Sequence, residues 1–189
     1  YEESSGGRKA ERYYFNKEKY YSLSFCVENK SIRYIISNIL NEETERGELD
    51  VKNKDIQEVI TRFIEHTLNR REIKAIALGV PGIVKDGSYL INGSNGEWIK
   101  NDIGDFIQNK FGIPVILEND LNSTVLGFSI NFAGENKDIE LKNLSSVYIE
   151  FAEDCTGAGI ISNGEIIRGK NNFAGEFGFI PVEGLRTVD

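Results

Sequence analysis

Long apolar runs are missing from this chain, and with them any stretch able to cross a bilayer as a helix. The opening Tyr1-Glu2-Glu3-Ser4-Ser5 has neither a basic segment nor an apolar core, so no secretory signal is legible there. Cysteine is scarce. Cys26 and Cys155 lie too far apart for a metal-ligand spacing and read as small buried hydrophobes in a reducing, cytoplasmic compartment. His66 is the only histidine, and its helical surroundings make it a surface or interface residue rather than a ligand or catalyst. Basic residues number 22 against 30 acidic ones, for a net charge of −8. Such a surface repels phosphate backbones, which argues against nucleic-acid binding by this segment alone. The one basic cluster, Arg8-Lys9, follows Gly6-Gly7 in a polar stretch over 1–12 that reads as a linker.

What remains is a chain of ordinary globular composition, 40% hydrophobic and 28% charged over 189 residues. That length suits one large domain or two small ones. Tyr20 to Val27 and Ser31 to Leu40 are rich in aromatic and β-branched residues, and Glu28-Asn29-Lys30 between them predicts a hairpin. The acidic stretch Asn41 to Asp50 can add an exposed third strand. Ile56, Val59, Ile60, Phe63, Ile64, Thr67 and Leu68 recur at helical spacing, which predicts a helix over Lys54 to Asn69 with Asn53 as its N-cap. Ile73 to Val80 reads as a buried strand stopped by Pro81-Gly82, and a loop is expected through Gly87, Gly93 and Gly96.

Asp102 to Phe111 predicts a helix closed by Gly112, followed by a short strand from Pro114 to Leu117. A third helix is expected over Asp120 to Phe132, ended by Gly134. Ser145 to Phe151 reads as a strand. Asn163-Gly164 between the apolar runs of Gly159 to Ile167 is a strong hairpin signal. The order is that of a mixed α/β protein with a boundary near Gly112 to Asn122.

Two short runs carry the candidate chemistry. Leu117-Glu118-Asn119-Asp120-Leu121-Asn122 places acids and amides at the end of an apolar strand. Phe173-Ala174-Gly175-Glu176-Phe177-Gly178 places a carboxylate between glycines. Together they offer hydrogen-bonding side chains on a backbone that can approach closely, the equipment for holding several hydroxyl groups. Asp120 and Asn119 also have plainer readings, as a helix cap and a turn residue. Gly82, Asn92 and Gly93 read as turn residues, and Trp98 as buried packing or a platform for a ring.

Several motifs in order give the chain a resemblance. Ala77-Leu78-Gly79-Val80-Pro81-Gly82, Gly112-Ile113-Pro114-Val115 through Asn119-Asp120-Leu121-Asn122, Gly159 through Gly169, and Ala174-Gly175-Glu176-Phe177-Gly178 resemble the ROK (repressor, ORF, kinase) family. The likeness is dense from about 75 to 183. It extends to the xylose- and N-acetylglucosamine-repressor-like branch, because Ser5-Gly6-Gly7-Arg8-Lys9 is similar to the linker behind a helix-turn-helix. The resemblance implies an actin-like ATPase (ribonuclease H-like) fold of two α/β domains, 13–118 and a partial 119–189, after a 1–12 linker from a missing DNA-binding domain. It implies a sugar effector in the interdomain cleft, held by Gly82, Asn92, Asn119, Asp120 and Glu176. Asp120 stands where the family's kinases keep their general base. A homodimer or higher oligomer is implied, with operator DNA reached only through the missing N-terminal helix-turn-helix and no membrane partner.

Kinases of the family carry an Asp-x-Gly-x-Thr phosphate loop in the first hairpin. Here that hairpin reads Phe25-Cys26-Val27-Glu28-Asn29-Lys30-Ser31. No glycine occurs between Gly7 and Gly47 and no aspartate before Asp50, so no shift of alignment restores the motif. The second, Gly-Thr-Gly-rich loop is replaced at its start by Ala152-Glu153-Asp154-Cys155, whose carboxylates would oppose phosphate. ATP is therefore not expected, and Asp120 becomes a vestigial base with no catalytic residue assigned. The family's zinc-binding histidine is replaced by Phe179, which cannot ligate a metal, so no metal is expected either. The competing expectation is a ROK sugar kinase transferring phosphate from ATP to a hexose or amino sugar.

Overall fold

The structure, a computed structural model, describes residues 13–28, 31–52, 54–93, 95–151 and 156–179. The expected linker 1–12, Asn53, and the Ala152 to Cys155 loop lie outside the described residues.

The first hairpin forms as its sequence predicts. Strands β1 (Tyr21–Val27) and β2 (Ser31–Asn38) pair antiparallel from Tyr21↔Asn38 to Val27↔Ile32. The acidic segment adds β3 (Glu43–Asp50) at the outer edge of β2. Period-two alternation sends Leu23, Phe25, Val27, Ile32 and Ile36 to one face, all buried. Helix α1 (Ile56–Leu68) covers that face with Ile60 and Ile64, both fully buried. Its N-cap is Asp55 and not Asn53: the Asp55 carboxylate accepts from the Glu58 amide at 2.9 Å. The Asp-x-x-Glu spacing of a capping box marks that start two residues later than the apolar pattern suggests. Replacing Asp55 with alanine is expected to cost about 1 kcal/mol in urea denaturation, the usual worth of such a cap.

Strand β4 (Ile73–Val80) then returns parallel beside β1. The segment after it is not the loop expected through Gly87, Gly93 and Gly96. It folds into a small antiparallel sheet of β5 (Ile83–Lys85), β6 (Ser88–Asn92) and β7 (Trp98–Asn101). The signal was present: Asp86 and Gly87, at φ 47° and 73°, form the two-residue turn that closes Lys85 against Ser88. The strands are simply too short for alternation to register.

Helix α2 (Ile103–Phe111) ends at left-handed Gly112, as expected, and buries Ile103 and Ile107 in the same core as α1. Strand β8 (Val115–Asn119) joins β4 in parallel and completes the order β3-β2-β1-β4-β8. Helix α3 (Asp120–Glu135) starts with no intervening loop and runs through Gly134 to its C-cap Asn136. Gly134 therefore does not stop it: a single helical glycine costs only about 1 kcal/mol, which the neighbouring turns absorb.

A further sheet follows, of β9 (Ser146–Phe151), β10 (Thr156–Ser162) and β11 (Glu165–Ile166), in the order β11-β10-β9. Asn163-Gly164, at φ 52° and 79°, makes the predicted hairpin between β10 and β11. Five of the six residues of β9 are exposed, and among the described residues its outer edge has no partner strand.

Candidate ligand site

The site forms where β8 turns directly into α3. Asn119 is the cap: its side-chain oxygen accepts from the Asn122 amide at 3.0 Å. Its side-chain nitrogen reaches across to the Gly82 carbonyl at 3.0 Å, tying the helix start to the Pro81-Gly82 turn, where Gly82 sits at φ 84°. The capping role considered for Asp120 therefore belongs to its neighbour. Asp120 is the first helical residue, and its carboxylate accepts from the next amide, Leu121, at 2.8 Å. Burial pushes the Asp120 carboxyl above its ordinary range, the Glu150 carboxylate adds to the rise, and the Leu121 amide opposes it.

Strand β10 brings the second acid to the first. Gly159 lies against the opening turn of α3 so closely that a Cβ there would be 2.2 Å from the Leu121 carbonyl oxygen. One residue earlier, the Ala158 amide donates to the Gly175 carbonyl at 2.8 Å. Gly175 is at φ 90°, and a Cβ would sit 1.8 Å from the Ala158 oxygen, so the loop packs flat on the strand only because this residue is glycine. Glu176 follows, half-buried. Its carboxyl is also raised, by burial first and then by the charge of Asp120. The two acids thus interact across the site. Together with Asn119 they form a cluster of hydrogen-bonding groups in a partly desolvated setting, where bonds to charged groups are strong.

Of the five residues expected to bind, Gly82, Asn119, Asp120 and Glu176 are linked in this way. Asn92 is not: it is the exposed last residue of β6, paired with Trp98 and hydrogen-bonded to none of the four among the described contacts. Trp98 is not buried packing. It is 47% exposed and meets Phe173 edge-on at 6.2 Å between ring centroids.

The residues that sequence reasoning left without a role are those that hold the site together. Glu118 accepts from the Asn119 amide at 2.9 Å and from the Asn122 side chain at 3.1 Å, and its other oxygen pairs with Arg168. Asn172 donates to the Val84 carbonyl at 2.7 Å. Glu118 stands inside the second of the four motifs and Arg168 inside the third, but only a fold pairs positions fifty residues apart.

The first hairpin has a different character. Glu28 pairs with Arg33 at 2.6 Å, and the Arg33 guanidinium lies 3.9 Å from the Cys26 sulfur. Cys26 is half-buried rather than fully enclosed, and burial pushes its thiol up. Beside it a groove of about 450 Å³ is lined by Ser24, Cys26, Arg33, Ile35, Arg46 and Glu48. Both arginines are engaged, Arg33 by Glu28 and Arg46 by Glu43. Among the described residues no group of three or more His, Cys, Asp or Glu side chains is placed to hold a metal ion. The side chain of Phe179, on which the zinc expectation turned, lies outside the described residues.

Two linked α/β units, the first with three antiparallel strands continued by parallel ones, define the actin-like ATPase fold. The chain belongs to the ROK family, whose profile matches residues 31–187. It is 27% identical over 191 residues to a xylose repressor of Bacillus spizizenii, covering 96% of this chain and 47% of the relative. A glucokinase of Halalkalibacterium halodurans is 27% identical over 166 residues, 82% of this chain and 48% of that one. Among solved structures, a ROK family glucokinase from Streptomyces griseus in complex with glucose and AMPPNP superposes with a TM-score of 0.66 at 20% identity, over 86% of this chain and 51% of the other. The chain thus spans about half the length of the relatives it matches. No helix among its described residues is long and apolar enough to cross a membrane.

Proposed function

We propose that this chain is the sugar-sensing effector part of a ROK transcriptional regulator, binding a sugar between the units 13–118 and 119–189 without phosphorylating it. One observation carries the reading: the acids kept for hydroxyls, Asp120 and Glu176, coexist with a first hairpin whose phosphate-loop position is taken by the Glu28–Arg33 pair. The pair carries no net positive charge to attract a triphosphate, and the neighbouring Arg46 is likewise engaged, by Glu43. The xylose repressor alignment, which reaches 96% of this chain against 82% for the glucokinase, supports this reading. In the cell, the ligand would bias closure of the two units in a cytoplasmic homodimer and so the spacing of DNA-binding heads carried elsewhere in the protein.

A thermal-shift series with D-xylose, D-glucose and N-acetyl-D-glucosamine tests this. At least one is expected to raise Tm, since a ligand that binds only the folded state at a hundred times its Kd adds about 2.7 kcal/mol. Mg-ATP at millimolar concentration is expected to produce neither a shift nor a phosphorylated sugar. Phosphoryl transfer would establish the kinase instead. Silence from every sugar would leave a dimerisation module.

A further inference from the structure

Among the described residues, contacts of Asn172, Phe173 and Arg168 fasten the loop that carries Glu176 to the first unit. Asn172 donates to the Val84 carbonyl at 2.7 Å, Phe173 meets Trp98, and Arg168 pairs with Glu118. Only the last is ionic, and only Glu118 also grips the opposite side of the site. One of its oxygens accepts from the Asn119 amide and the Asn122 side chain, at the first turn of α3. Its other oxygen takes the Arg168 guanidinium. The Glu118 side chain is only 18% exposed, whereas that of Arg168 is 47% exposed. The carboxylate is thus held by the helix start, and the arginine is the more exposed partner.

We infer that the Glu118–Arg168 pair is a positioning clasp that sets the distance between Asp120 and Glu176, so that ligand affinity is governed by two residues that touch no ligand. The inference rests on the reading of those two acids as ligand groups. The two acids repel each other, and the Arg168 carbonyl accepts from the Ala174 amide at 3.2 Å, so releasing Arg168 from Glu118 lets the loop shift away from α3 against the contacts that Asn172, Phe173 and Gly175 keep. Local opening of this kind lowers affinity by the fraction of time the site is assembled.

The test uses the full-length protein and three variants: Arg168→Met, Arg168→Lys and the double change Arg168→Met with Glu176→Gln. Hydrogen exchange read at residues 169–177 is expected to speed up in Arg168→Met and to recover in Arg168→Lys, with β1 and β4 unaffected. Unchanged exchange overturns the clasp whatever the ligand. With whichever of the three sugars shifts Tm most, Arg168→Met is expected to weaken binding about fivefold, the upper range for a half-exposed ion pair. It is expected to add nothing once Glu176 is glutamine, because the clasp acts through that loop. Equal losses in both backgrounds would make Arg168 a general stabiliser and overturn the inference. Wild-type protein that binds no sugar would remove the ligand reading itself, a result distinct from either of these.

Discussion

Asp120→Asn is expected to separate binding from stability in opposite directions. Sugar affinity should fall by roughly 1.5–3 kcal/mol, the worth of a hydrogen bond to an ionised group. The ligand-free protein should nevertheless melt higher at neutral pH. Burial raises the Asp120 carboxyl above its ordinary value of 3.8, so the folded state holds its proton in an interval where the unfolded chain has released it. Stability therefore declines as pH climbs through that interval and stays lower above it. Glu176, raised by burial and by Asp120, contributes a decline of the same sign above its ordinary 4.5. Asparagine cannot ionise, so its variant loses the Asp120 share of the slope and also relieves Glu176. Melting curves from pH 3 to 8, with and without sugar, read both effects. Normal sugar binding in Asp120→Asn would remove Asp120 from the site, and an unchanged slope would mean that its carboxyl is not desolvated.

Gly175→Ala is expected to have the largest structural effect of any glycine-to-alanine change among the described residues, because its added carbon makes the shortest approach. Alanine at φ 90° carries backbone strain of about 1–2 kcal/mol. Its Cβ would also stand 1.8 Å from the Ala158 oxygen, which no side-chain rotation relieves because both atoms are backbone-fixed. The loop must lift, and the bond from the Ala158 amide to the Gly175 carbonyl is lost, a further 1 kcal/mol or so. Glu176 leaves with it, so the sugar-dependent Tm shift should disappear. Gly112→Ala is the matched control: it has φ 65° but open space around the added carbon. It should show the strain alone, about 1 kcal/mol, with the sugar response intact. Equal behaviour of the two variants would contradict the close packing of the loop on β10.

How much of this was legible beforehand follows from which interactions are local. The bounds of β4, the left-handed close of α2 at Gly112 and the Asn163-Gly164 turn depend on residues within a few positions of one another, and the sequence states them. The sheet of β5, β6 and β7 went unread because strands of three to five residues cannot display a period, although Asp86-Gly87 named the turn. In the candidate site, the motifs single out Asp120 and Glu176 as expected ligand groups. The division of labour around them is not legible there. Whether Asn119 or Asp120 caps α3 depends on where the backbone leaves the extended conformation: Asn119 is still extended, at φ −61° and ψ 143°, and Asp120 is already helical. The Glu118–Arg168 pair spans fifty residues and exists only after two sheets have assembled.

Strand β9 has a consequence for handling the protein. Its backbone offers hydrogen-bonding groups along one side with nothing bonded to them among the described residues, while Val147, Ile149 and Phe151 project apolar surface beside them. Such a rim invites intermolecular strand addition. The one charge on the strand is Glu150, the same carboxylate that presses on Asp120. A variant designed to quiet the cleft by neutralising Glu150 would therefore strip the strand of its gatekeeper, and precipitation on storage would follow from a change made for affinity.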